Sequence, residues 1–216
     1  MQTVAIILAG GIGSRAKLKS PKQYYIHDGL SILEHLVSRV ADFFDQILIV
    51  NRDSTFEFTH EYADITFVPS GKTRIGSIQN GIRAVAELND SIVMIHEAAR
   101  PMIGERILKD HMAEVKRGSG TISVMRHSQG ILIGQNRTLK LFYSHKTVEI
   151  YQAMLPQFYH GADLLEHNLK IMSVNDDLDI PEILQHDLTF RLIEVDHFAE
   201  KITYYADIKR VLDSMD

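Results

Sequence analysis

Three short runs, Val4–Leu8, Gln46–Val50 and Ser91–Ile95, are apolar at almost every position and rich in β-branched residues. Such runs are too short for buried helices, and a strand that is apolar on both faces has to be covered on both. Strands of that kind belong to parallel sheets with helices above and below. Between the first two lies Ser31–Phe44, apolar at Ile32, Leu33, Leu36, Val37, Val40 and Phe44, the spacing of a helix laid on a sheet. Ser31 followed three residues later by Glu34 is a capping box that starts this helix. Strand, helix and strand in that order predict an α/β chain with a mostly parallel, doubly wound sheet and right-handed crossovers.

The same rhythm continues along the chain. A helix is expected over Thr55–Asp64, a strand over Ile65–Val68, and a helix entered through Gly71–Gly81 and continued by Ile82, Val85 and Leu88. Gly104–Arg117 reads as a helix, Gly118–Gly120 as a break, and Thr121–Met125 as a strand. The pattern changes at about 126–150, where Gly130–Gly134 and Thr138–Tyr143 flank the polar turn Gln135–Arg137. That is a β-hairpin, and its apolar residues have no core of their own, so it is expected to be an arm against another subunit. Tyr151–Phe158 returns to the body, Gly161–Leu169 is helical, Phe190–Val195 is a late strand, and Lys201–Ile208 leads into a closing helix. At 216 residues the chain suits a single domain with the arm as an excursion.

The first strand runs into Ala9-Gly10-Gly11-Ile12-Gly13-Ser14, a loop almost free of side chains. Backbone N–H groups in such a loop can close on an anion, because nothing projects between the amides and the phosphate oxygens. Arg15, Lys17, Lys19 and Lys22 follow at once and place positive charge where a polyphosphate would lie. Gly11, Gly13 and Ala16 also satisfy the spacing of a dinucleotide fingerprint. That fingerprint needs a helix running directly out of the loop, and the polar Lys17-Leu18-Lys19-Ser20 followed by Pro21 gives none. No G-x-x-x-x-G-K-[ST] run follows the strand either, which sets aside a P-loop.

Other features narrow the ligand. The formal charge of −5 argues against a general nucleic-acid binder, so the basic cluster is local and suits a small anionic substrate. The absence of cysteine removes thiolate metal sites and Cys nucleophiles, and the eleven histidines fall in no metal-binding spacing. No apolar stretch approaches the length of a membrane span and no leader pattern opens the chain, so a cytoplasmic location is expected. Glu97 ends the third apolar run, beside Ala98, Ala99 and Arg100, where α/β sheets bind ligands. A carboxylate there either holds Mg²⁺ between itself and a triphosphate or pairs with Arg100. Arg74 and Ser77 fall in the first turn of the helix after Gly71. They either close over a nucleotide or serve as a surface cation and a cap. The acidic stretch Asn175–Asp179 lacks the glycine turn and closing Glu of a calcium loop and reads as solvated capping.

LAGGIGSR, PKQY, G-x-x-R-x-x-S, HEAARP, P-Q-F and K-I-T occur here in an order and spacing that resemble the 2-C-methyl-D-erythritol 4-phosphate cytidylyltransferases and the related ribitol 5-phosphate cytidylyltransferases. The resemblance spans Val4 to Leu212. It implies a Rossmann-like nucleotidyltransferase fold, a homodimer with interlocking hairpin arms, no nucleic-acid or membrane partner, and CTP used with Mg²⁺ in isoprenoid biosynthesis. Ala9, Gly10, Gly11 and Gly13 then match the loop that holds CTP, Arg15 and Lys22 its phosphate-binding cations, and Gly71, Arg74 and Ser77 the segment over the cytosine. Ala98 falls in the same nucleotide-binding set, Glu97 stands where the family has Asp as Mg²⁺ ligand, and Arg100 and Lys201 match positions meeting the phosphorylated alcohol. Departures cluster on the acceptor side. Met154-Leu155-Pro156-Gln157 replaces Q-T-P-Q, the arm arginine falls at Thr147 beside Lys146, and the arm's Asp-Thr pair is not recognisable near Ser128-Gln129. The acceptor is therefore open between 2-C-methyl-D-erythritol 4-phosphate and ribitol 5-phosphate or another polyol phosphate. A CTP-binding paralogue without turnover is the alternative.

Overall fold

A computed structural model describes residues 1–216 apart from 14–19, 54, 60, 61, 63, 130, 136, 137, 144–148, 173–187, 196–200 and 213–216. Its strands are β1 (Gln2–Ala9), β2 (Ile26–His27), β3 (Leu30–Ser31), β4 (Gln46–Asn51), β5 (Ile65–Pro69), β6 (Ser91–Glu97), β7 (Ser119–Arg126), β8 (Ile131–Gln135), β9 (Thr138–Tyr143), β10 (Tyr151–His160) and β11 (Thr189–Glu194). The helices are α1 (Ile32–Val40), α2 (Arg74–Arg83), α3 (Glu105–Glu114), α4 (Gly161–Met172) and α5 (Tyr205–Leu212). Seven strands form one sheet in the order β11-β7-β10-β6-β1-β4-β5. β1 lies parallel to both β4 and β6, β4 parallel to β5, and β7 parallel to β11, whereas β10 runs antiparallel to both neighbours. The α/β expectation therefore holds, with one reversed strand inside an otherwise parallel sheet.

Alternation along the central strands explains why they read as unbroken apolar runs. On β1, Val4 and Ile6 join Leu48, Val50, Val93 and Ile95 under α2 and α4, while Ala5, Ile7 and Ala9 face α1 and α3 with Ile47, Ile49 and Met94. Each fully buried aliphatic side chain contributes about 1.5–3 kcal/mol, so neither face of β1 tolerates a polar residue cheaply. The α1 capping box is present as expected. The Glu34 amide donates to the Ser31 Oγ at 3.1 Å, and the Ser31 amide donates to the Glu34 carboxylate at 2.8 Å.

Several expected boundaries differ: α1 ends at Val40 rather than Phe44, and β7 begins at Ser119, inside the expected break Gly118–Gly120. The described residues of 55–64 are not helical. Asp53 accepts from the Thr55 N–H and hydroxyl, a local turn that competes with helix. Phe56 then stacks on Tyr24 with ring centroids 4.4 Å apart, and Phe58 packs edge-on to Phe56. α2 ends at Arg83, leaving Val85 and Leu88 beyond it, although Val85 still enters the core. α3 stops at Glu114 rather than continuing to Arg117. The hairpin forms as β8 and β9, paired only with each other among the described residues. Its turn at 136–137, Lys146, Thr147 and the acidic stretch 175–179 lie outside the described residues, as do Arg15, Lys17 and Lys19.

Candidate active site

From β1 the chain crosses by way of α1 to β4 and then β5, and returns by way of α2 to β6 on the other side of β1. The strand order reverses beside β1, so the carboxyl ends of β1, β4 and β6 open onto a crevice that no crossover fills. A cavity of about 380 Å³ lies there. Its floor is the glycine loop: Ala9, Gly10, Gly11 and Gly13 all line it, together with Ile12. Gly13 has φ of +67°, a left-handed conformation in which a side chain is strained.

The opposite wall comes from the entry to α2, with Gly71, Arg74 and Ser77 all in the lining. A Cβ on Gly71 would sit 2.4 Å from the carbonyl carbon of Gly76, so glycine is required by close backbone approach. The cap of α2 is Thr73, whose Oγ accepts from the Gly76 amide at 3.0 Å. Ser77 instead stitches the loop, donating from its Oγ to the Thr73 carbonyl at 2.9 Å and accepting from the Gly71 amide at 3.1 Å. The capping alternative for Ser77 is thus replaced by a hydroxyl that fixes the wall from inside.

Glu97 and Ala98 line the third side, at the tip of β6. The Glu97 carboxylate meets Lys201 Nζ at 2.7 Å, Arg74 Nε at 3.4 Å and Arg100 Nε at 3.6 Å. Burial alone would raise its pKa, but the charges of Lys201, Arg74 and Arg100 override that and hold it at about 2. Glu97 therefore pairs with Arg100, as one of its two readings expects, and it also faces the cavity. Arg100 itself does not line the cavity. It stands behind Glu97, with its Nη1 3.8 Å from the Met154 sulfur. Lys201 arrives from the segment before α5 and lines the cavity with Thr203. Lys22 is 9% exposed and also reaches the lining, where its ammonium donates to the Ile202 carbonyl.

Sequence reasoning did not single out Gln23, Arg52, Lys72 or Thr203, all of which line the cavity. Arg52 follows directly on the end of β4 and Lys72 follows Gly71, so position after a parallel strand was the available signal. The cavity wall carries Lys22, Arg52, Lys72, Arg74 and Lys201 against the single carboxylate of Glu97 among the described residues. A surplus of positive charge around backbone amides, on a chain of net charge −5, suits a small polyanion.

Two buried histidines stand behind the site. His96 is 1% exposed, with its Nε2 2.9 Å from the Arg100 carbonyl oxygen, and burial pushes its imidazole down to about 4. His111 contacts the hydroxyls of Thr121 and Ser123 at 2.7 and 2.8 Å, stacks on Phe158, and is pushed down by burial to about 3. In the unfolded chain both bind protons near pH 6.5, whereas the folded chain holds them neutral, so the unfolded state binds more protons below that pH. The stability associated with both rings is present above about pH 6.5 and is lost as pH falls toward 4 and 3. Glu97, depressed from 4.5 to about 2, adds a further loss below about pH 4.5. Urea unfolding should show on the order of 3–5 kcal/mol less stability at pH 4.5 than at pH 7. Equal midpoints at the two pH values would contradict the neutral burial of these rings.

The family model described as IspD: 2-C-methyl-D-erythritol 4-phosphate cytidylyltransferase matches residues 3–212. The chain belongs to that family. It is a nucleotidyltransferase of the cytidylyltransferase class. A relative named 2-C-methyl-D-erythritol 4-phosphate cytidylyltransferase, from Syntrophus aciditrophicus (strain SB), is 29% identical over 188 residues, covering 75% of this chain and 80% of the relative. The bifunctional enzyme IspD/IspF of Pelagibacter ubique (strain HTCC1062) is 28% identical over 214 residues, and the match covers 97% of this chain but 56% of that protein's length. The crystal structure of Francisella tularensis 2-C-methyl-D-erythritol 4-phosphate cytidylyltransferase aligns with a TM-score of 0.76 at 22% identity, covering 97% of this chain and 98% of the other. That likeness bears out the Rossmann-like nucleotidyltransferase fold expected of this IspD family member.

Proposed function

We propose that the protein transfers CMP from CTP to a phosphorylated small alcohol, 2-C-methyl-D-erythritol 4-phosphate or a close relative, and releases pyrophosphate. The observation that carries this reading is the cationic cavity around the glycine loop, in a chain of the IspD family. In the reaction an acceptor phosphate oxygen forms a bond to the α-phosphorus while the bond from that phosphorus to the β-bridging oxygen breaks. Little covalent chemistry falls to the protein, whose task is positioning and stabilising charge. Lys22 and Lys201, with Arg15 at the end of the same glycine loop, offset charge on the pentavalent phosphorus and the departing pyrophosphate. Gly71, Arg74 and Ser77 close over the nucleotide, and Arg100 supports the acceptor side by holding Glu97.

A divalent cation fits this cavity only together with a nucleotide. Mg²⁺ takes six oxygen ligands, and the described lining offers one carboxylate, Glu97, which already faces three cations. Phosphate oxygens and water have to supply the rest, with Glu97 as the protein's contribution. When bound, the ion clamps the triphosphate and draws charge from it. Calorimetry should detect no Mg²⁺ binding to the free protein and clear binding once CTP is present. Equally tight Mg²⁺ binding without nucleotide would sink this account of Glu97.

The same reading includes a homodimer joined through the β8–β9 arm, a single domain, and a cytoplasmic location. Among the described residues no helix is long and apolar enough to cross a membrane. The test is a panel of phosphorylated alcohols, including 2-C-methyl-D-erythritol 4-phosphate and ribitol 5-phosphate, incubated with CTP and Mg²⁺ and read by pyrophosphate release. One acceptor should turn over well above the others. Binding of CTP with no product from any acceptor would replace the enzyme with a nucleotide-binding paralogue.

A further inference from the structure

The 3-10 turn Lys22–Tyr24 is hydrogen-bonded to three segments that each supply residues to the cavity. Lys22 donates to the Ile202 carbonyl, in the segment that brings Lys201 and Thr203 to the site. The Tyr24 hydroxyl donates to the side-chain oxygen of Asn51, next to Arg52. Between them Gln23 is 3% exposed, and its amide Nε2 donates to the Ala9 carbonyl at 2.6 Å and the Gly11 carbonyl at 2.9 Å. Both N–H donors of that one amide are spent on the backbone of the glycine loop.

The peptide group is planar and trans, so a carbonyl and the N–H of the following residue point in opposite directions. Fixing the Ala9 and Gly11 carbonyls onto Gln23 therefore fixes two whole peptide planes, Ala9–Gly10 and Gly11–Ile12. The N–H on the far side of each is directed away from Gln23. A loop of glycines has little side-chain packing to hold such an orientation, and its backbone entropy is the highest of any residue type. Gly11 is in open space, since a Cβ built on it would meet no atom within 4 Å, whereas Gly10 lies against Ser70.

We propose that Gln23 is the positioning residue of the phosphate-binding loop, its side-chain amide setting the peptide planes that present N–H groups to the polyphosphate. The proposal rests on the CTP reading above. Its prediction is selective: losing Gln23 weakens recognition of phosphates and leaves recognition of the nucleoside intact. A general loosening of the fold would weaken both together.

Gln23→Met keeps the length of the side chain and removes both donors. CTP·Mg²⁺ affinity, measured by calorimetry, should fall about tenfold, the size expected from two hydrogen bonds of ordinary strength. Cytidine affinity, measured by ligand-observed NMR, should stay within about twofold of the parent protein, since no phosphate contact is involved. An equal loss for both ligands, or no loss for CTP, overturns the proposal. If the methionine variant fails to fold, Gln23→Glu serves instead. Its protonated carboxyl regains one O–H donor, so its CTP-to-cytidine affinity ratio, taken relative to the parent protein, should recover as pH falls. A ratio flat with pH overturns the proposal. Failure of the parent protein itself to bind CTP removes the underlying reading, whereas normal CTP binding by both parent and variant removes this inference alone.

Discussion

Lys22→Ala is expected to lower the turnover number by about 10²–10³-fold, the range seen when one donor aimed at developing charge is removed from a water-poor site. The CTP KM should change much less, because Arg74, Arg52 and Lys72 still line the cavity and hold ground-state charge. The physical basis is that Lys22 is 9% exposed yet reaches the cavity, with its ammonium anchored on the Ile202 carbonyl. A cation held in this way need not reorganise when negative charge moves from the α-phosphorus to the leaving pyrophosphate. Steady-state pyrophosphate release by parent and variant at saturating CTP decides the matter. A variant with near-normal kcat and a raised KM would make Lys22 a binding residue only.

Glu97→Gln should have the second large effect, on stability as well as on rate. The parent carboxylate lies among Lys201, Arg74 and Arg100, whose side chains are 32%, 33% and 12% exposed. Removing its charge takes away the one carboxylate that all three cations contact. Breaking a fully buried pair costs about 3–5 kcal/mol, and the part exposure of Lys201 and Arg74 brings the expected loss nearer to about 2–3 kcal/mol. For a chain of this size that corresponds to a fall in melting temperature of roughly 4–12 °C. A polyanion in the cavity replaces the missing charge, so CTP added without metal should raise the melting temperature of the variant more than that of the parent. Turnover with Mg²⁺ should nevertheless fall. Identical melting curves for the two proteins would show that the triad of cations does not depend on Glu97.

Much of this site is legible in the sequence. The glycine loop, Lys22, Arg74, Ser77 and Glu97 stand out by local pattern, Gly71, Ala98 and Lys201 stand out by the resemblance to the cytidylyltransferases, and all of them line one cavity. Arg100 was marked as well, but it stands one layer back, paired to Glu97. Gln23 carries no such mark, although it lies within PKQY. Nothing in its neighbours in sequence says that its amide turns toward Ala9 and Gly11, more than ten residues earlier. The helix expected over 55–64 was lost to an Asx turn at Asp53 and to aromatic stacking on Tyr24, contacts that periodicity does not register.

Local chemistry, taken alone, determined which stretches are strands buried on both faces, where α1 is capped, and that a side-chain-poor loop ends the first strand. Those properties depend on residues within a few positions of one another, so they are written in the order of the chain. Tertiary structure alone decided that β10 is inserted antiparallel between β6 and β7, that Lys201 meets Glu97, and that Lys22 reaches a carbonyl 180 residues away. The reason is that such contacts arise from the packing of the whole sheet and its helices, and no local segment carries enough energy to specify them.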